Sequence, residues 1–289
     1  MNILDNPAWL NGNFCQIKDL NFSILDLGVI HSDASYDVAC SRDRKIFLLE
    51  QHIDRFFKSC SGLRLPLELT KTNVLKIITK LCQQANHDSL LVWMGITRGV
   101  PATGNPRDLN NTTPNLFFYV KPYYDFGKSE KPISLCLAQT VRTPNCSIDQ
   151  NYKNWSWIDL TRAQWEAIDR GYDSAALIST DGFITEGPGF GLWGIQGKTV
   201  ISPQNNCLPS ITIRGLESVC YANNISFEYV DISSEDFMKL DFIGIASTSG
   251  GIKQVSKFED FEYADHPMFN SLLELIKEKY NDPMWTTKY

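Results

Sequence analysis

A chain of 289 residues with 43% hydrophobic and 21% charged residues is long enough for one or two hydrophobic cores. Its net charge of -6 leaves no basic footprint for nucleic acid, and its longest apolar runs, such as Leu90–Ile96, fall far short of the roughly 20 residues of a membrane helix. No leader pattern opens the sequence, and eight cysteines without a CxxC pair read as reduced thiols, so a cytoplasmic protein without a metal is expected.

Turn and strand signals alternate through the first fifty residues: Phe22–Asp26, Gly28–Val38, then Ile46–Leu49. From Glu50 the period changes, and Ile53, Phe56, Phe57 and Cys60 form one apolar helical face with Arg55 off it. A second helix is expected over 70–85, a strand over Leu90–Thr97, a long loop over 99–114 and a strand over Leu116–Val120. The Pro-, Tyr- and Gly-containing stretch that follows reads as a linker. The expected organisation is a small α+β domain over 1–122, a linker over 123–132, and a larger domain over 133–289. In the larger domain a helix follows Lys153, with Ile158, Trp165 and Ile168 as its apolar face. Asp159, Glu166, Asp169 and Arg170 are expected to face water, with Glu166 and Arg170 as an i,i+4 pair and Gly171 as the stop. Short strands, a hairpin around Gln196-Gly-Lys198, a helix over 211–223 and a C-terminal helix over 268–280 complete an α+β pattern without regular βαβ alternation.

Two nucleotide motifs fail on context. Gly189-Phe-Gly-Leu-Trp-Gly194 has the dinucleotide spacing, but a β-patterned segment follows where a helix is needed. Gly197-Lys-Thr199 lacks the first glycine of a P-loop, because position 192 is leucine. The four histidines lack metal-ligand spacing. What survives is Lys153 at a helix start among Tyr152, Trp155 and Trp157, where desolvation favours the neutral amine that forms a Schiff base. Glu186, between two strands, can pair with a pyridinium nitrogen and make that ring an electron sink. Ser210-Ile-Thr-Ile and Ser247-Thr-Ser-Gly-Gly are alternative phosphate cradles, with Arg55 as the cation.

In order along the chain, His31-Ser-Asp-x-x-Tyr-Asp-Val38, Leu49-x-x-His-Ile-x-Arg-Phe56, Thr97-Arg-Gly99, Lys153-Asn-x-x-Trp-x-Asp-Leu-Thr-Arg162, Gly171-Tyr-Asp, Thr185-Glu-Gly-x-Gly-Phe190 and Thr248-x-Gly-Gly-Ile252 resemble the fold-type IV pyridoxal-phosphate aminotransferases. That group holds branched-chain, D-amino-acid and (R)-selective amine transaminases; the first and fourth segments are most similar to the last of these. The resemblance covers nearly the whole chain. It implies a two-domain fold with a β-barrel-like larger domain flanked by helices, and a homodimer with a shared active site. Lys153 is implied as the Schiff-base lysine and proton carrier, Glu186 as the partner of the pyridine nitrogen, and Arg55, Ile211, Thr212 and Thr248 as phosphate ligands. His31, Tyr36, Trp157, Arg107 and Ser249 are implied in the substrate pocket. The sequence departs from the family at Pro188 and Gly191, and at the start of the 211–223 helix, where Ser210-Ile-Thr-Ile-Arg214 leaves the family's arginine displaced or lost. The implied reaction moves an amino group from an (R)-amine or D-amino acid to a 2-keto acid. Alternatives on the same fold are a branched-chain L-amino-acid aminotransferase, an aminodeoxychorismate-lyase-type elimination and a catalytically silent cofactor binder.

Overall fold

The computed structural model describes residues 2–123 and 131–289, so most of the expected linker lies outside the described residues. The chain divides into two compact units. One takes in Met1–Tyr124, Tyr152–Ser156 and Tyr280–Tyr289; the other takes in Asp125–Asn151 and Trp157–Lys279. Lys153 therefore belongs to the unit built mainly from the N-terminal residues.

In that first unit the strands β1 (Pro7–Leu10), β2 (Asn13–Gln16), β3 (Ala34–Arg42), β4 (Lys45–Phe47), β5 (Leu90–Pro101), β6 (Thr112–Pro122) and β16 (Thr286–Lys288) form one sheet in the order β16-β4-β3-β5-β6-β1-β2. A short helix, α1 (Leu27–His31), precedes β3. Helices α2 (Leu49–Gly62) and α3 (Lys71–Ala85) cover one face of the sheet. Their stripes Ile53, Phe56, Cys60, Val74, Ile78 and Leu81 pack on Val92, Met94, Ile96, Phe118 and Val120. The period-3.6 and period-2 patterns thus meet at one core, and the strand alternation leaves a second sheet face for other use.

The expected loop over 99–114 is shorter, spanning 102–111, because strand takes both its ends. β5 continues to Pro101 and β6 begins at Thr112, with Val100 opposite Thr113 and Pro101 opposite Thr112, after a register shift that follows Thr97. Gly99 makes this possible: its φ is +84°, and a Cβ there would lie 1.7 Å from the Thr113 carbonyl oxygen.

The second unit holds β7 (Ile133–Leu137), β8 (Ser174–Ala176), β9 (Glu186–Gly187), β10 (Phe190–Gln196), β11 (Thr199–Pro203), β12 (Ser226–Val230), β13 (Phe242–Ser247), β14 (Gly251–Phe258) and β15 (Phe261–Glu262). Its sheet runs β12-β11-β10-β13-β14-β7-β8, with β9 on β10 and β15 on β14. Helices α4 (Ile158–Asp169), α5 (Ile211–Ala222), α6 (Ser234–Phe237) and α7 (Pro267–Lys279) complete it. The rejected glycine motif runs into β10, and Gly197-Lys198 turns the chain into β11, so neither motif meets a helix.

Helix α4 corrects the expected orientation. Ile158, Trp165 and Ile168 are 70%, 61% and 51% exposed, while Leu160, Ala163 and Ala167 pack with Ala138, Ala175 and Leu177. Small side chains let the helix lie close to β8, and the larger apolar residues are turned outward. Asp159 is buried rather than solvated. The Glu166–Arg170 pair does not form either. Glu166 accepts from the Gln139 and Thr140 amides at 2.6 and 3.1 Å, and Arg170 pairs with Glu259 at 2.5 Å.

Candidate active site

In the first unit, Lys153 is half-buried and its ammonium lies 4.4 Å from the centre of the Tyr36 ring. Tyr36 stacks in turn on Trp93, with ring centroids 4.8 Å apart, and Trp93 stacks on Tyr119 at 5.7 Å. Strand alternation points Tyr36 to this face and its neighbour Asp37 to the opposite one, under α2.

Asp37 is fully buried. It accepts from Arg55 Nε at 2.7 Å and Nη2 at 3.0 Å, and makes a 2.7 Å hydrogen bond with His52 Nδ1. Burial alone would push the carboxyl pKa up, but the Arg55 charge and the His52 contact outweigh it and hold Asp37 well below the usual carboxylate range. For His52 burial prevails over the pull of Asp37, its pKa is lowered, and the ring stays neutral. Arg55 is therefore no surface arginine: its side chain is 10% exposed and oriented by a buried anion.

Asp37→Asn should destabilise the protein by about 3 kcal/mol, read as a fall in the urea midpoint, because Arg55 keeps its charge and loses its counter-ion. The depressed Asp37 pKa contributes stability that is fully present above the unfolded carboxyl pKa of about 3.9 and is lost only as pH falls through the lower folded value. The gap between wild type and variant should therefore hold from pH 7 down to about 4.

In the second unit, Glu186 lies in β9 opposite Gly191 of β10, and is buried. Its Oε1 accepts from Arg142 Nε at 2.9 Å and from the Leu208 amide at 3.2 Å, while no hydrogen bond from a described residue reaches Oε2. Arg142 also donates to Asp159 through Nη1 and to Gln150 through Nη2, both at 2.5 Å. The Thr143 amide donates to the same Asp159 oxygen at 2.8 Å. Burial would raise the Asp159 pKa, but the Thr143 amide and Arg142 lower it overall. Arg142 thus bridges two buried carboxylates, and one oxygen of Glu186 is left for a further donor.

Helix α5 starts nearby in sequence, with Ser210 as N-cap accepting from the Ile213 amide at 3.3 Å. The Ile211 and Thr212 amides fall in the first turn, where helix N–H groups lack intrahelical partners and favour an anion. A cavity of about 270 Å³ beside this helix is lined by Thr185, Gly191, Leu208, Ser210 and Ile213. Two of the three departures from the family pattern, Gly191 and Ile213 at the helix start, meet there, since a Cβ on Gly191 would come within 3.2 Å of Ile213 Cγ1. A larger residue at 191 would press on Ile213, so the two substitutions suit each other.

The remaining expected residues are more scattered. Thr248 and Ser249 sit half-buried in the turn between β13 and β14, and Trp157 is the N-cap of α4, with its ring near Gly189. His31 is exposed at the end of α1. Arg107 is exposed in the 102–111 loop, where its own amide donates to Asn105 at 3.0 Å. Arg98 of the Thr97-Arg-Gly segment is fully engaged elsewhere in structure: Asp33 takes Nε and Nη2, and the Arg64 and Leu63 carbonyls accept from Nη1 and Nη2.

Sequence reasoning missed Arg142, Gln150 and the burial of Asp159. Asp37 and His52 lay inside quoted segments, His31–Val38 and Leu49–Phe56, without a role. A buried carboxylate one residue from a pocket tyrosine, facing a helix that carries His and Arg three residues apart, was the available signal.

A model of the amino-transferase class IV family matches residues 34–258. A putative branched-chain-amino-acid aminotransferase of Methanocaldococcus jannaschii is 24% identical over 277 residues, 95% of each chain. A D-alanine aminotransferase of Staphylococcus epidermidis is 23% identical over 256 residues, 87% of this chain and 89% of the other. Among solved structures, a branched-chain aminotransferase from Thermoproteus uzoniensis superposes with a TM-score of 0.91 at 15% identity, over 98% of this chain and 99% of that one. The fold is therefore that of fold type IV. The chain belongs to the class IV aminotransferases, enzymes that work with pyridoxal phosphate.

Proposed function

We propose that the protein is a pyridoxal-phosphate aminotransferase that moves an amino group from a D-amino acid or (R)-amine to a 2-keto acid. The carrying observation is Glu186: a buried carboxylate held through Oε1 by Arg142, with Oε2 left for a pyridine N–H. The residues fit the cofactor. Lys153 is the amine that would hold its aldehyde carbon. Arg55, the Ile211 and Thr212 amides and Thr248 would hold its phosphate. When bound, pyridoxal phosphate supplies an electron sink for breaking the donor Cα–H bond. Lys153 Nζ takes that proton, and Tyr36, Trp157, His31, Arg107 and Ser249 would line the substrate. The donor handedness rests on the His31–Val38 and Lys153–Arg162 segments and on the D-alanine aminotransferases among the relatives.

A second reading, an L-branched-chain donor, is favoured by the M. jannaschii relative. A homodimer in the cytoplasm is part of the proposal, supported by the exposed Ile158, Trp165 and Ile168 face of α4 and by cysteines that are all unpaired. The test is a panel of D- and L-amino acids and of both enantiomers of an aryl amine, with pyruvate and 2-oxoglutarate as acceptors, read by bleaching of the visible cofactor band. Bleaching by D-alanine or an (R)-amine is expected. Bleaching by L-leucine alone moves the assignment to the second reading, and a colourless protein that binds no pyridoxal phosphate overturns both.

A further inference from the structure

Two buried side chains hydrogen-bond to the backbone of the reactive lysine. Ser59 Oγ accepts from the Lys153 amide at 2.9 Å, and Ser35 Oγ donates to the Lys153 carbonyl at 2.7 Å. Both serines are fully buried. The flanking residues continue the attachment, since Ser35 and Asn154 form an antiparallel bridge and the Trp155 amide donates to the Ala34 carbonyl at 3.3 Å. The segment around Lys153 is thereby stitched to the start of β3, far away in sequence.

Ser59 has a second bond. Its hydroxyl donates back to the Arg55 carbonyl, one turn earlier on α2, at 2.8 Å. A hydroxyl can donate once and still accept, so this one side chain joins the turn that carries Arg55 to the amide of Lys153. Arg55 is itself held from the other side by Asp37, on the strand that supplies Ser35. One helical turn and one strand end therefore set the register between the arginine and the lysine.

Resting on the functional reading above, we propose that Ser59 and Ser35 are positioning residues for Lys153: they hold its backbone so that Nζ is presented for bonding to the cofactor aldehyde. Neither serine need touch the cofactor. Deleting the Ser59 hydroxyl leaves a buried amide without its acceptor, and the segment must shift or bring in water to satisfy it.

Two cofactor forms separate positioning from general damage. Pyridoxal phosphate can bond to Lys153; pyridoxamine phosphate shares its ring and phosphate but cannot. Dissociation constants for both are measured on the full chain for wild type, Ser59→Ala, Ser35→Ala, Lys153→Ala and Ser59→Ala/Lys153→Ala, with thermal unfolding alongside. Each serine variant should bind pyridoxal phosphate roughly tenfold more weakly, and pyridoxamine phosphate within about twofold of wild type. In the Lys153→Ala background, Ser59→Ala should change neither constant by more than about twofold. Equal weakening of both ligands, or no weakening of either, overturns the positioning role. If wild type bonds pyridoxal phosphate and Ser59→Ala matches it, this inference alone fails; a wild type that bonds none sinks the functional reading as well.

Discussion

Lys153→Ala is expected to abolish the visible band given by added pyridoxal phosphate and to lower transamination by on the order of 10³-fold or more, since in the proposed function one side chain is both the bonded amine and the proton carrier. The fold should survive. The amide and carbonyl of residue 153 are tied into the first unit by Ser59 and Ser35, and alanine keeps both. Alanine forgoes the attraction of the ammonium to the face of the Tyr36 ring, worth about 0.5–1 kcal/mol. Thermal unfolding should therefore shift by no more than a few degrees while the spectrum changes completely. Phosphate and ring binding are untouched, so pyridoxamine phosphate should still bind. A Lys153→Ala protein that keeps the band and turns over donor at a wild-type rate would remove Lys153 from the chemistry.

Arg55 and Lys153 stood out in the sequence for different reasons. Helical periodicity placed Arg55 off the apolar stripe of α2, and from that alone it read as a surface residue. What buries and orients it is Asp37, 18 positions earlier, and that contact depends on how β3 lies against the helix. Lys153 was marked by its aromatic neighbours and by segment order, yet its partners Ser35 and Ser59 lie 118 and 94 residues away. Side chains of that type are too common for sequence to single them out.

Helix α4 failed for a physical reason. The apolar stripe was chosen by residue size and hydropathy, whereas close approach to β8 selected Leu160, Ala163 and Ala167. In the 99–114 stretch, turn-forming residues concealed a hairpin that extends past Gly99 through a register shift. Arg142 had no local signal at all, because it sits outside any regular element and is defined only by the acceptors that converge on it.

Those acceptors make Arg142→Met the most damaging change expected in the second unit. The wild-type guanidinium serves Glu186, Asp159 and Gln150 together, in a site where Arg142 is 5% exposed. Methionine fills similar volume but leaves two buried carboxylates without their shared cation, a loss of about 3–5 kcal/mol at neutral pH. The pH dependence carries the sign. In wild type the depressed Asp159 pKa contributes stability that is present above the unfolded value of about 3.9 and disappears as pH falls through the lower folded one. In the variant burial and the Thr143 amide remain but the cation is gone, so the ionised carboxylate loses much of its stabilisation at pH 7, a difference that protonation removes. The stability gap measured by urea unfolding should thus be widest near neutrality and narrow below about pH 4. Cofactor chemistry should follow. Under the proposed function, a Glu186 that has lost the Arg142 contact is no longer held in place for the pyridine nitrogen, so kcat should fall roughly tenfold or more even where enough protein remains folded. Arg142→Lys should recover part of the stability and little of the rate, because a single ammonium cannot span three acceptors in one plane. A gap independent of pH, or a wild-type rate in Arg142→Met, would mean that Arg142 does not sustain the buried carboxylates Asp159 and Glu186.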